Sequence, residues 1–249
     1  MKKYDMHVHI WKGKEERNME AMVKAGELYG IDKIFVSGLA GDFPDLEDVN
    51  RINDYVLKFM KRYPDYVEGL CHVNPRYDAC MDTLQRCVED GGMIGMKLWI
   101  ATFCDDPLNY RFIEKCIDYD IPILLHAWRK TVGQRACEST PERVANIAKR
   151  YPEGTFIMAH IAGNCYYGVK PVLDCENVYI DFCGSVFRAD DLEYAVELVG
   201  AKRILFGTDM PGSYLVSEGQ VWEANISEEE KEMIMWKNTA RLFYKEKVE

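Results

Sequence analysis

The sequence predicts an α/β chain folded as a (β/α)₈ barrel, a single domain over residues 1–249. Three observations predict it. Short apolar runs alternate with amphipathic stretches from end to end. The length of 249 residues fits a barrel of about 250. Ionisable residues stand at the ends of the apolar runs, where barrel enzymes build their active sites.

The expected strands lie near 3–10, 33–39, 67–74, 93–100, 121–128, 155–162, 177–184 and 203–208. The expected helices lie near 15–29, 47–62, 78–90, 108–118, 141–151, 168–175, 190–199 and 227–245. Tyr63-Pro64 closes the second helix, because the residue before proline avoids the α region. Asp106-Pro107 opens the fourth, and Thr140-Pro141 the fifth, as a capping residue followed by proline at the first helical position. Tyr151-Pro152 ends the fifth. Ser227-Glu228-Glu229-Glu230 reads as a capping box with carboxylates at a helix N-terminus. An open doubly wound sheet is the other architecture considered. Against it, no Gly-x-Gly-x-x-Gly or P-loop follows the first strand.

Composition narrows the function. Hydrophobic residues make up 48% and charged residues 29%, which suits a globular domain. A net charge of −10 disfavours nucleic acid, whose binders carry a basic patch. The nine cysteines include no C-x-x-C pair and read as reduced core thiols of a cytoplasmic protein. No signal-peptide pattern opens the chain, and no apolar run approaches the ~20 residues of a membrane span.

The five histidines all fall in expected strands, four of them at or near a strand's C-terminal end. Residues two apart on a strand project to one face, so His7 and His9 can both point into the barrel mouth and bind one ion. His126 ends Ile121-Pro-Ile-Leu-Leu-His126, His160 ends Phe156-Ile-Met-Ala-His160, and Asp209 ends Ile204-Leu-Phe-Gly-Thr-Asp209. Three imidazoles and a carboxylate (His7, His9, His126, Asp209) suit one divalent metal ion, with Zn²⁺ favoured and Mn²⁺, Fe²⁺ or Co²⁺ also compatible. His160 is then the candidate acid or base, and Asp209 a second catalytic group. His72 reads as a buried histidine rather than a ligand. Asp5 shares parity with His7 and His9, which places it inward one layer deeper, in a hydrogen-bonding role at the base of the site.

These motifs resemble the amidohydrolase superfamily. The resemblance rests on Asp5-Met6-His7-Val8-His9, the strand-terminal His126 and His160, and Phe206-Gly207-Thr208-Asp209-Met210-Pro211. The ending Asn238-Thr239-Ala240-Arg241-Leu242-Phe243 is similar to that of the amidohydrolase-related branch, which includes aminocarboxymuconate-semialdehyde decarboxylase. The resemblance implies a mononuclear site with ligands His7, His9, His126 and Asp209 and a catalytic His160. Asp181 falls in a segment where that branch has D-x-S-G, with Cys183 replacing the serine. Lys97 stands where some branches carry a carbamylated, metal-bridging lysine; here a substrate-facing lysine is the favoured reading.

Lys97, Trp99, Arg129 and Arg188 are the candidate substrate contacts. Arginine can clamp a substrate carboxylate bidentately. Trp11, Trp128, Tyr166 and Tyr167 are candidate pocket walls, and Lys130 a further candidate cation. The main functional expectation is a hydrolase of a small carboxylated or cyclic amide or lactone, using metal-activated hydroxide and His160 as proton carrier. The alternative is a lyase, a decarboxylase or hydratase, on the same site. A TatD-type DNase and a non-catalytic barrel are weaker readings. The partner expected is a small molecule, neither nucleic acid nor membrane. Homo-oligomerisation is compatible with such barrels, though nothing in the sequence marks an interface.

Overall fold

The structure, a computed structural model of the chain, describes residues 1–184, 187–188, 190–209 and 214–245. Its eight strands form one sheet in sequence order. They are β1 (Tyr4–Trp11), β2 (Lys33–Leu39), β3 (Val67–His72), β4 (Gly95–Leu98), β5 (Ile123–Leu125), β6 (Phe156–Met158), β7 (Val178–Asp181) and β8 (Ile204–Leu205). Successive strands pair in parallel. Past β8 the chain bonds back to β1, Met6 N to Phe206 O at 3.0 Å and Asp209 N to His7 O at 2.7 Å. These two bonds close the barrel.

The helices are α1 (Glu15–Tyr29), α2 (Leu46–Arg62), α3 (Cys80–Gln85), α4 (Tyr110–Asp118), α5 (Pro141–Arg150), α6 (Cys165–Gly168), α7 (Asp191–Val199), α8 (Tyr214–Glu223), α9 (Glu228–Glu232) and α10 (Asn238–Tyr244). The expected caps form at several starts. Ser227 and Glu230 make the reciprocal capping box of α9, and Asp106 accepts from Leu108 N before α4. Thr140 precedes α5 without a side-chain bond, so proline at the first position sets that start.

Two apolar layers result. Val36, Val56, Phe59, Met96, Phe112 and Ile180 pack between strands and helices. Met6, Phe35, Leu70, Leu124, Ile157 and Leu205 fill the barrel, and Ala240, Leu242 and Phe243 of α10 join them. The interior is therefore a packed core beneath the site, as barrels require.

Three expectations need correcting. Pairing of β1 with β2 shifts register between Asp5 and Val8, so Met6 joins the interior core in the place parity gave to Asp5. The helix expected over 168–175 is instead α6, a short turn ending at Gly168, followed by a 3₁₀ turn Lys170–Val172. Pro171 lacks the amide hydrogen that would continue an α-helix. Finally, α8 was not expected. Its pattern runs against amphipathic reading, with Ser217 and Glu218 buried while Leu215, Val216 and Trp222 are exposed.

Candidate active site

β1 carries His7 and His9 to the C-terminal mouth of the barrel, both buried. Gly207 makes room for His7. A first side-chain carbon there would lie 2.8 Å from His7 Cβ. His7 Nδ1 lies 2.8 Å from Asp181 Oδ2 on β7. His9 Nδ1 lies 2.9 Å from Ser37 Oγ and 3.3 Å from the Ser37 carbonyl on β2. A carboxylate and a carbonyl only accept, so both Nδ1 atoms carry the hydrogen. Both Nε2 atoms then present lone pairs, and these face each other at 2.9 Å.

Asp209 completes the cluster. Its Oδ1 lies 3.2 Å from His9 Nε2 and 3.6 Å from His7 Nε2. Burial opposes its ionisation, but the facing imidazoles of His160, His9 and His7 outweigh that and hold the carboxyl far below its usual range. Burial, the largest cause, pushes His7 and His9 below the ordinary histidine value, so neither is protonated at neutral pH. Three unprotonated donors converge here, a donor set that fits a divalent cation.

His160 sits just beyond β6 in an uncommon backbone. His160, Ile161 and Ala162 have φ of 67°, 48° and 50°, followed by Gly163 at 80°. Each non-glycine residue in this left-handed region costs about 1–2 kcal/mol. Tertiary bonds hold the segment. His160 N donates to Asp181 Oδ1 at 2.8 Å, and Arg129 N donates to Ala162 O at 2.8 Å. At Gly163 any side chain would meet Trp128 Nε1 at 2.2 Å. His160 Nδ1 donates to the Cys183 carbonyl at 3.1 Å, leaving Nε2 directed at His126 Nδ1 at 3.2 Å. Burial drops the His160 pKa to about 4, so its Nε2 is a free base at neutral pH.

Asp181 is the hub beneath. Oδ2 orients His7, while Oδ1 accepts from the amides of His160 and Cys183 and from the Cys183 thiol. Asp5 does similar work one level below, accepting from Thr208 N and Oγ1 and from His7 N. Burial raises Asp5 to about 8.

The sequence matches the amidohydrolase family over residues 4–244. The chain belongs to that family. One relative is the 2-keto-4-carboxy-3-hexenedioate hydratase of Sphingobium sp., 25% identical over an alignment covering 77% of this chain and 70% of that one. Among solved structures, a 2,6-dihydroxybenzoate decarboxylase from Rhizobium superposes with a TM-score of 0.80 at 20% identity, covering 98% of this chain and 99% of its own. A dihydroxybenzoic acid decarboxylase from Polaromonas sp. JS666, solved with manganese and the inhibitor 2-nitroresorcinol, superposes at 0.74 and 18% identity, covering 98% and 97%. The last two likenesses speak to fold. Amidohydrolase membership does not itself fix the reaction.

Not every expected site residue of this family member lies where the sequence placed it. His7, His9 and Asp209 come together. His126 lines the same cavity, but its Nε2 is held by Glu138 Oε1 at 2.9 Å and its Nδ1 faces His160. As oriented it stands outside the three-donor cluster. Lys97 does not line the cavity; it is fully buried, with Nζ 3.2 Å from His7 Nε2. Burial lowers it to about 8. Arg129 pairs with Glu142 instead and, with Arg188, borders a neighbouring groove. Met210 and Pro211 lie outside the described residues. His72 is buried with neither ring nitrogen bonded among the described residues.

The cavity encloses about 160 Å³. Trp11, Trp99 and Trp128 wall it, and His9, His126, His160 and Asp209 open into it. Arg135 and Glu138, which sequence reasoning missed, complete it together with Lys130. They come from the loop after β5, which Gln134 staples by donating to the Trp128 and Glu138 carbonyls while accepting from Lys130 N. Nothing periodic marks such a loop. A larger groove of about 890 Å³ runs along the outer face of α2, without converging catalytic groups.

Proposed function

We propose that this amidohydrolase-family chain is a metal-dependent lyase, a decarboxylase or hydratase, acting on a small carboxylated and conjugated substrate. The observation that carries the reading is the three-donor cluster of His7, His9 and Asp209 opening into an indole-walled cavity with the neutral base His160 on its edge. The hydratase and decarboxylase activities named for its relatives favour a lyase over the hydrolase that the sequence first suggests.

His7, His9 and Asp209 would hold one divalent ion; zinc is the reading from the sequence, and the manganese in a structural neighbour supports testing both. Such an ion supplies Lewis-acid polarisation of a substrate oxygen. Trp11, Trp99 and Trp128 orient a flat substrate. His160 Nε2 moves the proton. It accepts one from a substrate group and returns it to the adjacent carbon, its ring held in place by the Cys183 carbonyl. His126 lies on the far side of that nitrogen, fixed there by Glu138, which accepts from both His126 Nε2 and Lys130 Nζ.

The test is a screen of hydroxybenzoates and unsaturated keto-polycarboxylates against lactones and amides, using protein reconstituted with zinc or manganese. Release of CO₂, or incorporation of water across a double bond, supports the lyase. Turnover confined to lactones or amides would return the reading to hydrolysis.

A further inference from the structure

The loop after β5 places two cations on the wall of the cavity, and their partners differ. Lys130 Nζ lies 2.6 Å from Glu138 Oε1, a carboxylate with only 1% of its side chain exposed. That pair is internally neutralised. Arg135 instead meets Asp42 at 2.7 Å, and both side chains are about half exposed, at 49% and 45%. A half-exposed pair at a cavity mouth is weak and exchangeable. Among the described residues its side-chain hydrogen bond uses Nη1, and the rest of the guanidinium fork meets no acceptor there. The same guanidinium lies over the Trp99 ring, 5.8 Å from its centroid. Trp99 in turn meets Trp11 edge-to-face at 5.5 Å.

These contacts set both charge and size. The cavity of about 160 Å³ is small and lies between three indoles. It admits one ring or a short conjugated chain. Its lining differs in kind: His9 and Asp209 belong to the three-donor cluster, whereas Arg135 stands on the loop against Trp99.

We propose that Arg135 is the specificity-determining residue of this site, exchanging Asp42 for a second carboxylate on a small planar dicarboxylate substrate. The proposal rests on the lyase reading for the first carboxylate. Arg135 itself takes no part in the chemistry. It selects, by a bidentate bond made against an indole face.

Equilibrium binding tests this without turnover. Metal-loaded protein is titrated with benzoate and with isophthalate (the 1,3-dicarboxylate), read by quenching of tryptophan fluorescence. Wild type should prefer isophthalate by on the order of 2- to 10-fold, the worth of a half-exposed charge pair gained in exchange for another. Arg135→Met should bring the ratio close to one, and Arg135→Lys should leave it in between. Asp42→Asn should tighten isophthalate by removing the competitor. Because both residues are about half exposed, neither exchange threatens the fold. No preference in wild type, a preference that survives Arg135→Met, or weaker isophthalate binding in Asp42→Asn each overturns the proposal. Failure of the lyase reading shows separately, as an intact binding preference with neither CO₂ release nor hydration.

Discussion

Replacing Glu138 by glutamine tests the loop that covers the site. The carboxylate accepts from His126 Nε2 at 2.9 Å, Lys130 Nζ at 2.6 Å and Arg135 N at 3.2 Å. Burial works against its charge, yet the bonds from His126 and Lys130 prevail and lower its pKa from 4.5 to about 2. At about 1.4 kcal/mol per unit the folded state favours the ionised form by about 3 kcal/mol. Lys130 is a quarter exposed, so solvent screening trims this to about 2 kcal/mol. A folded pKa below the unfolded one contributes stability that is fully present above about pH 4.5 and lost as the pH falls towards 2. Glutamine keeps the shape but removes the charge and turns an amide N–H₂ towards one of the donors. Urea unfolding at pH 7 should therefore show Glu138→Gln less stable by about 2 kcal/mol, with the difference shrinking between pH 4.5 and 2.5. Curves that stay parallel down to pH 2.5 would refute the reasoning, because the lost term would then not be the charge.

His9→Ala or Asp209→Asn removes one of three converging donors and should lower bound metal, by elemental analysis, well below one ion per chain. His160→Asn should retain metal while kcat falls roughly 10²- to 10⁴-fold, the range of a positioned acid–base group. Chelation should abolish turnover and, at an ion concentration near 100 times Kd, remove about 2.7 kcal/mol of stabilisation; for a chain of this length a melting temperature lower by about 5–10 °C is expected by calorimetry. Gly163→Ala, at φ 80° and against Trp128, should cost about 2 kcal/mol in denaturant melts and reduce kcat by shifting Trp128 and His160.

The parts of this site that could be read from the sequence are those that backbone periodicity controls. A strand must send residues two apart to one face, so His7-Val8-His9 offers two candidate ligands without knowledge of any neighbour. An apolar run that stops at an ionisable group likewise announces a barrel mouth, and Asp209 meets the other two donors there. Where the chain departs from its own period, the reading fails. The register shift after Asp5 exchanges that residue with Met6 in the interior. The left-handed run at His160 contradicts local preference outright, since β-branched Ile161 disfavours positive φ. It persists because Asp181 and the Arg129 amide, 21 and 33 positions from their respective partners, bond it in place. The orientation of His126 depends in the same way on Glu138, which no period connects to it.

This division has a functional consequence. The groups suited to hold a metal stand on strands, whose geometry is fixed by ladder bonds all round the barrel. The outer lining of the cavity, Lys130, Arg135 and Glu138, stands on one loop held by Gln134. A loop can change its residues without disturbing the ladder, whereas a strand cannot shift by one residue without turning every side chain to the other face. Substrate choice can therefore change by exchange of Arg135 or Glu138 while His7, His9 and Asp209 stay in place. That is why family membership is legible along the strands of this chain, while the proposed specificity residue Arg135 lies in residues 127–140, where no period marks it.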